Sequence, residues 1–86
     1  MALYTQTAST DLSSKGRRLT SIHVASTGAT TVNIREGAVG GAIRYQVVAA
    51  TGTTQTINFA TPVIFPTGVY VELSAGTVSA ITVDIL

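Results

Sequence analysis

The 86-residue chain contains no cysteine and no tryptophan, and few of its residues carry a charge. Without cysteine it forms no disulfide, and the thiolate ligands of most structural zinc sites are missing. A chain this short buries only about 60–65% of its unfolded surface, so small domains usually need disulfides, a metal or association. Association is the means that remains. The sequence therefore predicts a homo-oligomer without cofactors or a metal.

Charged side chains make up 10% of the chain, against about 25% in an average domain. None lies between Tyr45 and Val71, and polarity comes mainly from 15 threonines and 7 serines. A net charge of +1 provides little repulsion between molecules. Either the surface is simply coated with threonine, or, as we favour, much of it contacts other protein chains.

Long apolar runs are also absent, because threonine, glycine or proline interrupts each one. None approaches the roughly 18 residues that a membrane-spanning helix needs. The first residues, Met1 to Tyr4, lack the basic start and apolar stretch of a secretory signal. We therefore expect synthesis in the cytosol and no membrane partner.

What is abundant points to strands. Val, Ile and Thr account for 32 of the 86 residues, and β-branched residues favour strands. Six segments between residues 18 and 85 alternate apolar and polar side chains, as half-buried antiparallel strands do. Glycine-containing pairs such as Thr51-Gly52 separate them. Short strands separated by glycine turns indicate a sandwich or a small barrel, and we predict an all-β fold, a single antiparallel β-sandwich of about six to eight short strands.

The alternation also predicts which side chains face inward. The expected core is Ile22, Val24, Val32, Ile34, Tyr45, Val47, Ile57, Phe59, Val71, Leu73, Ile81 and Val83. Ile43 is expected on the same inward face, with Asn33 and Asp84 outward. Pro62 and Pro66 bracket a short apolar piece that we interpret as an edge strand or a crossover between sheets, because proline cannot donate to a ladder.

Residues 1–16 are rich in serine and threonine and lack sustained alternation. We predict an N-terminal extended arm over 1–16 and a β-sandwich domain over 17–86. An arm of this kind adds to a sheet edge of a neighbouring subunit. The alternative is that it forms a first strand of the same sandwich. We expect subunit contacts from its apolar residues and the adjacent basic cluster: Leu3, Tyr4, Leu12, Lys15, Arg17 and Arg18.

Residues suited to catalysis or metal binding are scarce. The one histidine, His23, falls on the polar side of a strand, and the four carboxylates lie on different segments. The glycine-rich stretch 37–41 lies between two strands, not before a helix, so a hairpin loop is expected there rather than a phosphate cradle. Three basic residues are too few to favour nucleic acid. The sequence predicts no catalytic, cofactor or metal site, no small-molecule substrate and no enzymatic activity.

Two stretches of alternating threonine- and glycine-rich sequence, residues 26–34 and 65–71, suggest a wider likeness. From Arg17 to Leu86 the chain resembles small virion proteins of tailed bacteriophages. The resemblance implies a jelly-roll or Ig-like sandwich. It also implies a structural protein of the virion, of the capsid cement, decoration or head–tail accessory type. Its partner would be the major capsid protein or another virion protein. The alternative is a carbohydrate- or host-surface-binding β-sandwich module, such as a fibre-associated domain.

Overall fold

The computed structural model describes residues 2–86. Its regular structure consists of strands alone. The eight strands are β1 (Ala2–Gln6), β2 (Thr10–Asp11), β3 (Arg18–Ser26), β4 (Thr30–Glu36), β5 (Ile43–Ala49), β6 (Thr54–Ile64), β7 (Val69–Ala75) and β8 (Val78–Ile85). The prediction of an all-β fold is confirmed, and the glycine-containing pairs lie in the connections as expected.

The strands form two four-stranded antiparallel sheets that pack against each other as a sandwich. Sheet A has the order β1-β8-β3-β6, and sheet B has the order β2-β7-β4-β5. The first strand pairs with the last, the second with the seventh, the third with the sixth and the fourth with the fifth. The β3–β8 and β4–β7 ladders then join these pairs within each sheet.

One hydrophobic core lies between the two sheets. Eight of the twelve predicted core residues are buried, whereas Tyr45, Ile57, Phe59 and Leu73 are partly buried and pack against the others. Among the residues whose burial is described, the buried apolar set is Leu12, Leu19, Ile22, Val24, Val32, Ile34, Val47, Ala49, Phe65, Val69, Val71, Ile81, Val83 and Ile85. Alternation therefore located the centre of the core but not its ends.

The expected N-terminal arm is not separate in this structure. Residues 2–6 form β1 at the edge of sheet A, and residues 10–11 form β2 against β7. Leu12 is 4% exposed, and its backbone N–H donates to the carbonyl of Val69 over 2.9 Å. Residues 2–6 and 10–11 pair with the chain's own strands because β8 and β7 each present an open side to them. The alternative arrangement, a first strand of the same sandwich, is the one observed.

An irregularity in the β4–β5 ladder explains why one side chain faces the opposite way from the sequence prediction. Ile34 pairs with Tyr45, but Arg35 pairs with Ile43, so Arg44 is an extra residue in β5. A bulge of this kind moves the next side chain to the opposite face, and Ile43 is accordingly 47% exposed, not inward. Asn33 and Asp84, expected outward, are on the outer faces but buried by their neighbours there.

Proline and glycine occupy the positions that their backbones require. Pro62 lies in β6, which is an edge strand of sheet A, as predicted. Gly76 has a φ of +90°, and a Cβ atom there would lie 2.1 Å from the carbonyl oxygen of Ala29. Only glycine tolerates both conditions, so the turn between β7 and β8 depends on this residue.

Candidate functional site

One end of the sandwich collects most of the exposed apolar side chains and the unpaired basic residues. We call it the basal end; β3 begins there, and β6 and β8 end there. The outer face of sheet A at this end, together with the turn before β3, forms a surface that we call the basal surface. Its residues are Leu3, Lys15, Arg17, Arg18, Ile64 and Leu86.

Backbone hydrogen bonds fix the centre of the basal surface. The N–H groups of Arg17 and Arg18 both donate to the carbonyl of Leu86, over 3.0 and 3.2 Å. Leu86 in turn donates to the carbonyl of Arg18 over 2.8 Å, and Phe65 donates to that of Arg17 over 2.7 Å. The two arginines are therefore held between the ends of β6 and β8, although their side chains are exposed.

The three basic side chains form no ion pair within residues 2–86. The chain's other two arginines do, since Arg35 lies 3.1 Å from Glu72 and Arg44 lies 2.6 Å from Glu36. Lys15 Nζ lies 5.9 Å from the centre of the Tyr4 ring, a cation–π contact. Arg17 donates to the carbonyl of Pro66. Unneutralised positive charge is thus concentrated at the basal end.

Exposed apolar side chains lie among these cations. Leu3 is 65% exposed, Ile64 50% and Leu86 46%. In sheet A, Leu86 neighbours Arg18 and Arg18 neighbours Ile64, so the three side chains form a row across the outer face. Val39, 65% exposed, lies in the loop after β4 at the same end. Exposed apolar side chains on both sides of an arginine are a composition typical of protein contact surfaces.

Asp84 lies beside this row on the outer face. It pairs with Leu3 on one side and with Ser21 on the other, next to the bulge at Thr20. Only 7% of its surface is exposed, and its Oδ1 atom is buried without a hydrogen-bond partner in the structure as described. Thr20 donates to its backbone carbonyl over 3.1 Å. The neighbouring side chains therefore cover the one carboxylate of this face.

Five of the six predicted contact residues meet at or beside the basal surface. Leu3 is on the outer face, Arg17 lies in the turn before β3 and Arg18 begins that strand. Tyr4 packs against the core, and its ring contacts Lys15. Leu12 is the exception, because it belongs to the core. The sequence analysis missed Ile64 and Leu86. Ile64 follows Val63, which packs against the core, and Leu86 follows the buried Ile85. Extending the apolar–polar alternation by one residue would have placed both side chains on the outer face.

The outer face of sheet B has a different character. Asn33 donates to Glu72 Oε1 over 2.8 Å, and Gln46 donates to Asn33 Oδ1 over 2.8 Å, forming a polar ladder across three strands. The Asn33 hydrogen bond lowers the pKa of Glu72; burial opposes this, and Arg35 lowers it further. Asn33, Gln46 and Glu72 hydrogen-bond to one another, so the centre of this face offers a partner few unpaired groups.

The remaining candidates for chemistry stand apart. His23 is exposed on the outer face of sheet A, where its Nδ1 atom lies 2.8 Å from the Thr56 hydroxyl. No group of three potential metal ligands and no pocket occurs within the described residues. Residues 2–86 also contain no helix that is long and apolar enough to span a bilayer.

Comparison of the chain with protein-family models, with curated proteins and with solved structures finds no match.

Proposed function

We propose that this protein is a structural component of a tailed-phage virion, an oligomeric capsid cement, decoration or head–tail accessory protein. The observation that carries the proposal is the basal surface, where exposed Leu3, Ile64 and Leu86 surround cations that have no carboxylate partner in residues 2–86. Such a surface suits attachment to another protein chain. The alternating threonine- and glycine-rich strands, which resemble those of small phage virion proteins, support the virion assignment.

The proposed fold type is a jelly roll rather than an Ig-like sandwich. A jelly roll has eight strands in two sheets and can be drawn as one long hairpin rolled up. The pairing of first with last strand, second with seventh, third with sixth and fourth with fifth supports this description. Ig-like domains have a different strand order, with their first two strands adjacent in one sheet. Jelly rolls occur in viral capsid proteins and also in lectins.

The partner of the basal surface is proposed to be an acidic, partly apolar protein surface, such as that of the major capsid protein. Lys15, Arg17 and Arg18 favour carboxylates, and complementary charge speeds association and selects partners. A second copy of the same surface would bring like charges together. Nucleic acid would leave Ile64 and Leu86 without apolar contacts, since interfaces with DNA are more polar than those between proteins.

The virion assignment is tested with the phage that encodes the chain. Mass spectrometry of its purified virions is expected to find the protein in many copies, and its absence would refute the assignment. Heads assembled without the gene are expected to release DNA at a lower temperature if the protein cements the shell. Purified protein added back is expected to bind these heads and restore their stability.

The basal surface is tested in the same add-back assay. Arg18→Glu and Ile64→Asp are each expected to weaken binding to the heads at least about tenfold, the loss of one well-placed contact. Val48→Asp is the matched control, because Val48 is also an exposed β-branched residue on an edge strand, but away from the basal end. Equal binding by all three variants would show that the protein contacts the heads through another surface. Binding to a glycan array but not to heads would favour the sugar-binding alternative.

A further inference from the structure

The outer edge of β6 carries unpaired backbone groups along a segment with no charge. In an antiparallel ladder, residues alternate between pairs that exchange hydrogen bonds and pairs that do not. Ser26 N–H donates to the carbonyl of Thr53 over 2.9 Å, so the bonds to β3 continue through Gln55 and Ile57. The N–H and C=O groups of Thr54, Thr56 and Asn58 therefore point away from the sheet.

We infer that the segment Thr54–Asn58 pairs with the same segment of a second copy, antiparallel and about a two-fold axis at Thr56. Thr56 would face Thr56 of the second copy, and Thr54 would face its Asn58. This register lets all three outward-pointing residues exchange hydrogen bonds, about six in total. The two copies of sheet A would then form one continuous eight-stranded sheet.

This half of β6 lacks the features that keep strand edges apart. Edge strands are usually protected by charges, proline or bulges. In β6, Pro62 and the shift in register with β3 after Asn58 protect only the second half of the strand, residues 59–64. The upper half, Thr54–Asn58, pairs regularly with β3 and has no charged or proline residue. A two-fold contact there brings no like charges together.

The packing on the inner face favours the same contact. Ile57 and Phe59 are only partly buried, whereas inward residues of the interior strand β3 are fully buried. A neighbouring strand at this edge would cover them. The other edges fit less well: β5 has a bulge at the charged Arg44, and β1 has five residues and places Gln6 at an inner position.

The test is the mass of the purified protein by sedimentation equilibrium. The wild-type chain is expected to be a dimer. Thr56→Lys places two lysines face to face at the axis, and Thr56→Pro removes an outward N–H without removing a backbone hydrogen bond to β3. All substitutions at Thr56 lose the contact between its hydroxyl and His23, and Thr56→Val controls for that loss. Each is expected to weaken dimerisation at least tenfold while circular dichroism stays unchanged. Thr56→Val, which keeps the backbone groups, is expected to remain dimeric.

Thr5→Lys is the matched charge control. Thr5 lies on the same outer face and in the same cross-strand row as Thr56, but on the opposite edge, β1. It is expected to leave the dimer intact. A monomeric wild-type chain, a dimer unaffected by Thr56→Lys and Thr56→Pro, or equal dissociation by Thr5→Lys would each overturn the inference. This inference is independent of the virion assignment, because it requires only the isolated chain.

Discussion

Replacing Phe65 with alanine removes the largest fully buried side chain of the sandwich. Phe65 follows β6 at the crossover to sheet B, and the Arg44 guanidinium lies 5.3 Å from its ring centre. Phenylalanine-to-alanine changes in a core cost about 3–5 kcal/mol, because apolar contact is lost and a cavity remains. A domain of 86 residues has a total stability of roughly 4–13 kcal/mol. Phe65→Ala is therefore expected to remove a large part of it.

Phe59→Ala is the matched control. Phe59 is only partly buried, on the edge strand β6, where its ring meets Tyr45 edge to face at 5.2 Å. An aromatic pair contributes about 0.5–1.5 kcal/mol beyond its burial, so we expect a loss of about 2 kcal/mol. The sequence alone had placed this residue in the core.

The assay is urea unfolding followed by circular dichroism, at one protomer concentration because association raises apparent stability. Equal slopes of free energy against urea are needed to compare midpoints. A loss at Phe59→Ala that equals or exceeds the loss at Phe65→Ala would refute the described packing at the crossover.

Two further predictions concern a turn and acid stability. Gly76→Ala is expected to cost more than about 2 kcal/mol, through its positive φ and the contact with Ala29, while Gly40→Ala, in open space, changes stability by less than about 1 kcal/mol; equal melting temperatures would contradict this. Burial raises the pKa of Glu36, but hydrogen bonds from Thr67 and the Arg44 contacts lower it by more, and the pKa of Glu72 is also lowered. Because both pKa values lie below the ordinary 4.5, the stabilisation that the two carboxylates give the folded state is complete above about pH 4.5. It is lost as the pH falls through their pKa values in the folded protein. A melting temperature that rises on acidification from pH 6 to 3 would contradict this prediction.

Local patterns predicted the strands well where each strand has one buried face. Ile22 and Val24 in β3, and Ile81 and Val83 in β8, are fully buried as alternation requires. Phe65 was missed because it lies between two prolines, where alternation gives no face. Its burial depends on how the chain crosses between the sheets, which is a property of the whole fold.

The N-terminal strands could not be predicted for a similar reason. Residues 2–6 show little alternation, and their pairing partners lie in residues 81–85, near the other end of the described chain. The basic cluster of the basal surface was found because Lys15, Arg17 and Arg18 are adjacent in sequence. Ile64 and Leu86 joined it only through the ladders with β3, and such non-local pairing has no short-range signature.

The position of β8 affects how the chain folds during synthesis. β8 is an interior strand of sheet A, between β1 and β3, although it is made after the other seven strands. Until residues 78–85 leave the ribosome, β1 has no partner and β3 lacks one of its two neighbours. Sheet A therefore cannot be completed before residues 78–85 have left the ribosome, and non-local β topologies of this kind fold at millisecond-to-second rates. During this interval the uncharged stretch from Tyr45 to Val71 is open to other nascent chains, and chaperone binding at this stage would improve the yield of folded protein.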